Sequence, residues 1–176
     1  PFEADLARLN AVRDAIGDAR LRIDANGGWA IDAAPRHLER LADLEIEFVE
    51  EPVSGLDALA VVRAASPIPL AVDESIATPE DLDRAISLAS ADVVVLKPSA
   101  LGGPLATAAA ARTASEAGLT VVVTSLLEGS IGIGAAAHLA SALGALDPAP
   151  GLATAGLLHA DNGPSLLPRH GALHLD

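Results

Sequence analysis

A chain of 176 residues with 51% hydrophobic content is long enough to bury a substantial core, and its length suggests one domain. A net charge of −13 opposes broad binding to nucleic-acid backbones or anionic membranes, and two Phe, one Trp and no Tyr leave no platform for stacking bases. Zero cysteines exclude disulfides and thiolate metal sites, and no uncharged apolar run is long enough to span a membrane. No basic stretch leads into an apolar one at the start, so no signal peptide is expected and a cytoplasmic location is.

Pro1 to Gly17 reads as a helix, and "LRIDAN" (21–26) follows as an apolar strand. "DAAPRHLERLADL" (32–44) places Leu38, Leu41 and Leu44 at helical spacing before the strand "IEFVEEP" (46–52). "PLAVDES" (69–75) reads as a strand and "PEDLDRAISLA" (79–89) as a helix with Thr78 as its N-cap. The strand "DVVVLKP" (92–98) leads to a helix over 102–118, with proline near its start and Gly118 at its end. "LTVVVTS" (119–125) is the next strand. The tail from Leu157 reads as a last strand or loop and irregular closing structure, the β/α rhythm holding to about 160 and the irregular part covering 161–176.

Strand and helix alternating at this period predict βαβ units and a parallel sheet, with strands apolar on both faces because helices cover both. A doubly wound open sheet and a (β/α) barrel both fit. The strand ends favour the barrel. They carry Asp24, Glu50, Asp73, Lys97 and Ser125, spaced 26, 23, 24 and 28 residues apart, about one β/α unit each. In a barrel all these ends face one mouth, where active sites are built. An open sheet would favour a glycine-rich phosphate turn after the first strand, and "DANGGW" (24–29) lacks that fingerprint.

Three carboxylates converging on one point repel unless a cation lies between them, and an all-oxygen set suits Mg²⁺ or Mn²⁺ rather than zinc. Each residue also has a plainer reading: an acid at a strand end caps the following helix, and a lysine after an apolar run snorkels to the surface. Four such residues in four consecutive units argue against coincidence. Lys97 is the chain's single lysine among eleven cationic side chains.

"DAN" (24–26), "VEEP" (49–52), "VDES" (72–75), "LKPSALGG" (96–103) and "TSLLEGSIG" (124–132) resemble the barrel domain of the enolase superfamily, muconate-lactonizing branch. With "GLATAGLLHAD" (151–161), the chain is most similar to the o-succinylbenzoate synthases of menaquinone biosynthesis within that branch. The resemblance implies an α/β fold, a TIM-type barrel incomplete at about six of eight β/α units. It implies that Asp24, Glu50 and Asp73 are Mg²⁺ ligands and that Lys97 is catalytic, with Asn26 and Glu74 as polar neighbours of the ligands. The choice of Glu50 over Glu51 rests on the motif, since strand alternation says only that the two face opposite ways.

The implied chemistry removes a proton α to a substrate carboxylate, Mg²⁺ stabilising the ene-diolate, as general accounts of this superfamily have it. In a synthase, water leaves a cyclohexadiene carboxylate to give an aromatic ring, with Lys97 a cation over that ring. The family's usual base is a lysine in a Lys-x-Lys motif one unit before Asp24, where counting back reaches the start of the chain. The first two strands and an N-terminal capping domain are likewise unaccounted for, so the expectation is a fragment of a longer protein, inactive alone.

Ser125, Glu128, Gly129 and Ser130 are candidate substrate contacts, the strand-to-helix junction at 128–130 offering backbone N–H groups to a carboxylate. A plain helix start explains the same residues. His138 lies inside an alanine-rich helix and reads as packed rather than catalytic, and His37, His159, His170 and His174 show no ligand spacing. The expected partner is a small carboxylate substrate, with no nucleic acid and no membrane, and self-association of the complete protein stays open. Dipeptide epimerase is the main rival, although those enzymes resemble one another in an Asp-x-Asp pair of which "HAD" (159–161) supplies only Asp161. N-acylamino-acid racemase and muconate cycloisomerase are further alternatives. Outside the superfamily stand a Schiff-base aldolase, suited by a lone lysine, and a non-catalytic partner fragment.

Overall fold

The computed structural model describes residues 2–164 and 166–175. Helix and strand alternate along the chain: α1 (Phe2–Ile16), β1 (Leu21–Asp24), α2 (Ala34–Leu41), β2 (Ile46–Glu50), α3 (Leu56–Ala64), β3 (Leu70–Val72), α4 (Pro79–Leu88), β4 (Val93–Leu96), α5 (Pro104–Glu116), β5 (Thr120–Val123) and α6 (Ser130–Leu143). Short 3-10 turns cover Ala42–Leu44 and Thr154–Leu157. The strands run in the order β1-β2-β3-β4-β5. This α/β arrangement is that of an incomplete TIM-type barrel. Among the described residues no helix is long and apolar enough to cross a membrane.

Two compact units divide the described chain, one of residues up to Ser75 with Asp83–Val93, the other of Ile76–Leu82 with the residues from Val94 on. In the first, β1 pairs parallel with β2 and β2 with β3. Phe48, Val49, Leu70, Ala71 and Val72 are buried, as are Leu38, Leu41, Leu59 and Val62 on the helices that follow β1 and β2. These Leu and Val runs explain β2 and β3: helices cover the strands, so alternation gives way to continuous apolar sequence. β1 departs from that expectation. Only Leu21 of its four residues is buried, and Arg22 lies over the Phe48 ring while its Nε donates to Glu47 at 2.5 Å. Its outer place in the strand order gives the physical reason.

Arg13 fastens the end of α1. Its guanidinium donates to the carbonyls of Leu44, Gly17 and Ala19 at 2.6–3.0 Å, using acceptors that helix and turn ends leave open. Asp92 does the same for β3, accepting from the Leu70 N–H at 3.0 Å and from Arg63 Nη2 at 2.7 Å.

In the second unit α5 and α6 pack on β5 and on each other. Their alanine-rich faces (Ala111, Ala114, Ala136, Ala140) allow close approach. Beyond α6, Gly151 makes a parallel bridge to Thr124, its N–H donating to the Val123 carbonyl at 3.1 Å. A further strand is therefore reduced to one bridge here. A Cβ at Gly151 would stand 3.0 Å from Thr124 Cγ2. Among the described residues after it, Arg169 and Ala172 form an antiparallel bridge.

Candidate active site

Asp24 and Glu50 end β1 and β2 on the same rung of the parallel ladder, and Glu50 is in register with Ala71 of β3. Register partners in a parallel sheet share a face, and residues two apart on a strand do too. The ladder register includes Asp24 and Glu50, and Asp73 follows directly on the last residue of β3.

Their surroundings differ. Asp24 is exposed, and both its oxygens accept from Asn26, one from the backbone N–H at 2.8 Å and one from Nδ2 at 2.7 Å. This Asx turn has Asn26 at φ +48°, a conformation asparagine tolerates better than most residues. Glu50 is half-buried, Asp73 is 5% exposed and Glu74 is exposed. Asp24 also lines an open cavity of about 460 Å³ with Phe2, Leu9, Ile23 and Trp29. Among the described residues no three acids or imidazoles are gathered closely enough to hold a metal ion. The donors fit a hard dication by type and strand position, not as a finished coordination sphere.

The loops after β1 and β2 brace one another. Gly28 bridges Val53, and the Trp29 N–H donates to the Pro52 carbonyl at 3.1 Å. Gly27 stands at φ +66°, a conformation that favours glycine, and a Cβ there would force the Ser54 hydroxyl to move. The glycines of "DANGG" therefore serve close loop packing.

Glu51 is the residue that sequence reasoning passed over. It is 2% exposed, at φ +37°, and its Oε2 accepts from the Asp73 N–H at 2.8 Å while its Oε1 accepts from the Ser75 hydroxyl. The signal was present in "EEP": alternation turns one of two adjacent acids inward, and an inward carboxylate needs donors.

In the second unit, Lys97 follows β4 directly and is half-buried. Its carbonyl accepts from the N–H groups of Ala100 and Leu101 at 3.0 and 3.1 Å, which folds "KPSALGG" into a tight turn before α5. Ser99 Oγ donates to Glu128 Oε2 at 2.6 Å, and Glu128 Oε1 accepts from the Leu126 N–H at 3.0 Å. Glu128 thus joins the loop carrying Lys97 to the loop after β5. Ser125, 8% exposed, has its hydroxyl 3.0 Å from Thr154 Oγ1.

At the start of α6 the expected anion receptor is engaged within the chain. The Ser130 N–H donates to Asp161 Oδ1 at 2.7 Å and its hydroxyl to Asp161 Oδ2 at 2.5 Å. The Ser130 hydroxyl, then the backbone N–H, hold the Asp161 carboxyl below its usual range. Gly129, the N-cap, has no room for a Cβ, which would stand 2.4 Å from Asn162 Oδ1. The chain's own carboxylate stands where a substrate carboxylate is expected, because residues 161–162 cap the helix.

The whole chain, residues 1–176, matches the family model described as Enolase C-terminal domain-like. It is 50% identical over 172 residues to an o-succinylbenzoate synthase of Thermobifida fusca, covering 96% of this chain and 53% of that protein. It is 39% identical over 173 residues to an o-succinylbenzoate synthase of Mycolicibacterium smegmatis, covering 98% and 52%. The structure of the muconate lactonizing enzyme from Pseudomonas putida matches with a TM-score of 0.93 at 30% identity, covering 100% of this chain and 50% of that one. A dipeptide epimerase from Cytophaga hutchinsonii, complexed with Mg and the dipeptide D-Ala-L-Val, matches at 0.84 and 35% identity, covering 91% and 44%. The chain spans about half the length of the curated relatives it matches.

Proposed function

The chain belongs to the enolase C-terminal domain-like family, and on that premise we propose that it is part of a metal-dependent lyase, an o-succinylbenzoate synthase of menaquinone biosynthesis acting in the cytoplasm. The observation that carries this reading is its 50% identity to one such synthase over 96% of its length. The strand-end acids and Lys97 supply a chemistry to match. Asp24, Glu50 and Asp73 are the residues that would hold Mg²⁺, with Mn²⁺ as a substitute. When bound, the ion supplies positive charge that stabilises an ene-diolate.

The chain's own residues do the rest. Lys97 holds its ammonium against the ring as water departs and the aromatic product forms, an interaction strongest in the transition state. The reaction removes one proton and one hydroxyl group from the substrate, and together they leave as water. The base that takes the proton is expected from a Lys-x-Lys strand, which these 176 residues do not contain. Glu128 fixes the loop of Lys97 through Ser99. Asn26 orients Asp24. The epimerase reading is weaker, because identity to the Cytophaga enzyme is 35% and Asp161 already accepts from Ser130.

The test is steady-state kinetics of the full-length protein with synthase and dipeptide substrates. Lys97→Ala is expected to lower kcat far more than it raises KM, as loss of a transition-state contact does. Lys97→Arg is expected not to rescue it, since the guanidinium spreads its charge over a planar fork. Wild-type turnover in Lys97→Arg, or epimerase activity without synthase activity, overturns the reading.

A further inference from the structure

Glu51 is the buried acid that the proposed chemistry leaves unused. The residue is 2% exposed, and its two side-chain oxygens accept from the Asp73 N–H and the Ser75 hydroxyl. Burying such a group costs several kcal/mol unless strong hydrogen bonds offset it, and a non-glycine residue at positive φ adds a cost of order 1 kcal/mol. A well-packed apolar or amide side chain would serve stability better. Two costs at one residue, beside three proposed ligands, call for a reason other than stability.

The hydrogen bonds supply one. The Glu51 N–H donates to the Ala71 carbonyl at 2.9 Å, and its carbonyl accepts from the Gly27 N–H at 2.6 Å. Its Oε2 accepts from the backbone N–H of Asp73 itself at 2.8 Å, and its Oε1 from the Ser75 hydroxyl. One residue therefore grips the loop after β1, the edge of β3 and the loop after β3. These segments adjoin two proposed ligands, Asp24 three residues before Gly27 and Asp73 held directly, while the third, Glu50, is the residue before Glu51 itself.

We propose that Glu51 is a positioning residue that sets the spacing of Asp24, Glu50 and Asp73 by clamping three successive strand ends, and so fixes the affinity of the site for a divalent cation. The proposal rests on the reading of those three acids as ligands. A carboxyl group suits the role because its two oxygens accept from the Asp73 N–H and the Ser75 hydroxyl at once. The positive φ is what turns the chain after Glu50, so that Glu50 ends the strand and Glu51 reaches across to the next one.

The experiment measures Mg²⁺ affinity by calorimetry and thermal unfolding of the metal-free protein, on full-length wild type, Glu51→Gln, Glu51→Ala, Ser75→Ala and Asp73→Asn. Glu51→Gln keeps size and one acceptor, and is expected to melt at or above the wild-type temperature while binding Mg²⁺ about tenfold more weakly, the usual effect of losing an outer-shell partner. Glu51→Ala is expected to bind more weakly still and to melt lower. Ser75→Ala leaves every charge in place, and is expected to weaken binding about threefold, the lower end of what one hydrogen bond contributes. Wild-type affinity in Glu51→Gln overturns the proposal. So does weakening in Glu51→Gln with none in Ser75→Ala, which would make the effect one of charge. Unchanged affinity in Asp73→Asn would remove the ligand assignment instead, and separates that failure from a failure of the clamp.

Discussion

Gly132 lies in the first turn of α6, four residues after Glu128, and a Cβ there would stand 1.9 Å from Glu128 Oε2. The obstacle is the far end of a flexible side chain, so it can move. Gly132→Ala gains helix propensity of about 1 kcal/mol and loses the bonds that Glu128 accepts from Ser99 and Leu126, each worth about 1 kcal/mol. Stability is expected to change by no more than about 1 kcal/mol, while synthase kcat/KM of the full-length protein falls because the Lys97 loop loses its tie. Chemical denaturation and steady-state kinetics on one preparation check both halves. Asp161 makes a pH prediction at the same scale. Its folded pKa lies below its ordinary value, chiefly through the Ser130 hydroxyl, so its contribution is present above the ordinary value near 3.8 and is lost as pH falls through the depressed one. Hydrogen exchange at the Ser130 amide is expected to accelerate, beyond the intrinsic pH trend, only below pH 3.8. Acceleration setting in well above that value would contradict the assignment.

At the scale of elements, α4 shows how local sequence closes a helix end. The Thr78 carbonyl accepts from the Leu82 N–H at 3.3 Å, its Oγ1 accepts from the Asp81 N–H at 3.2 Å, and Asp81 Oδ2 accepts in return from the Thr78 N–H at 2.9 Å. This is a capping box with aspartate in the acidic place. Thr78→Ala is expected to cost about 1 kcal/mol and Thr78→Ser much less. Equal melting temperatures for wild type and Thr78→Ala would show that the cap contributes nothing. The helix after β1 needs no such device. Ala33 caps it without a side-chain bond, and Pro35 fixes its first turn.

For the molecule as a whole, the outer place of β1 has a consequence. Three of its four residues are not buried, and a strand with an open outer side is a template for pairing. The 176-residue chain made alone is expected to self-associate despite its charge of −13, and to show no synthase turnover with Mg²⁺. Joined to the remainder that its relatives carry, it is expected to lose the association and gain the activity. Light scattering and an assay on both proteins decide it. An active monomer of 176 residues would require another base and another source of edge protection.

The sequence by itself determined the elements and the strand ends at which the candidate residues stand. Helix and strand positions followed from period and punctuation: Thr78 before α4, Gly118 at φ +86° after α5, and apolar runs where helices cover both faces. Asp24, Glu50, Asp73 and Lys97 were legible as residues at or just past strand ends because those ends recur once per unit, a spacing set by backbone geometry and not by distant contacts. The tertiary structure alone decided which acceptors those residues share. That Glu51 is the inward acid depends on donors from Asp73 and Ser75, more than 20 residues away, and that Asp161 caps α6 depends on a tail with no periodicity. Hydrogen bonds between distant loops leave no period in a sequence, because nothing local requires the two partners to occur together. β1 shows the same limit: it reads as covered, and its place at the edge of the strand order leaves Arg22 and Ile23 half-buried and Asp24 exposed, with Leu21 alone buried.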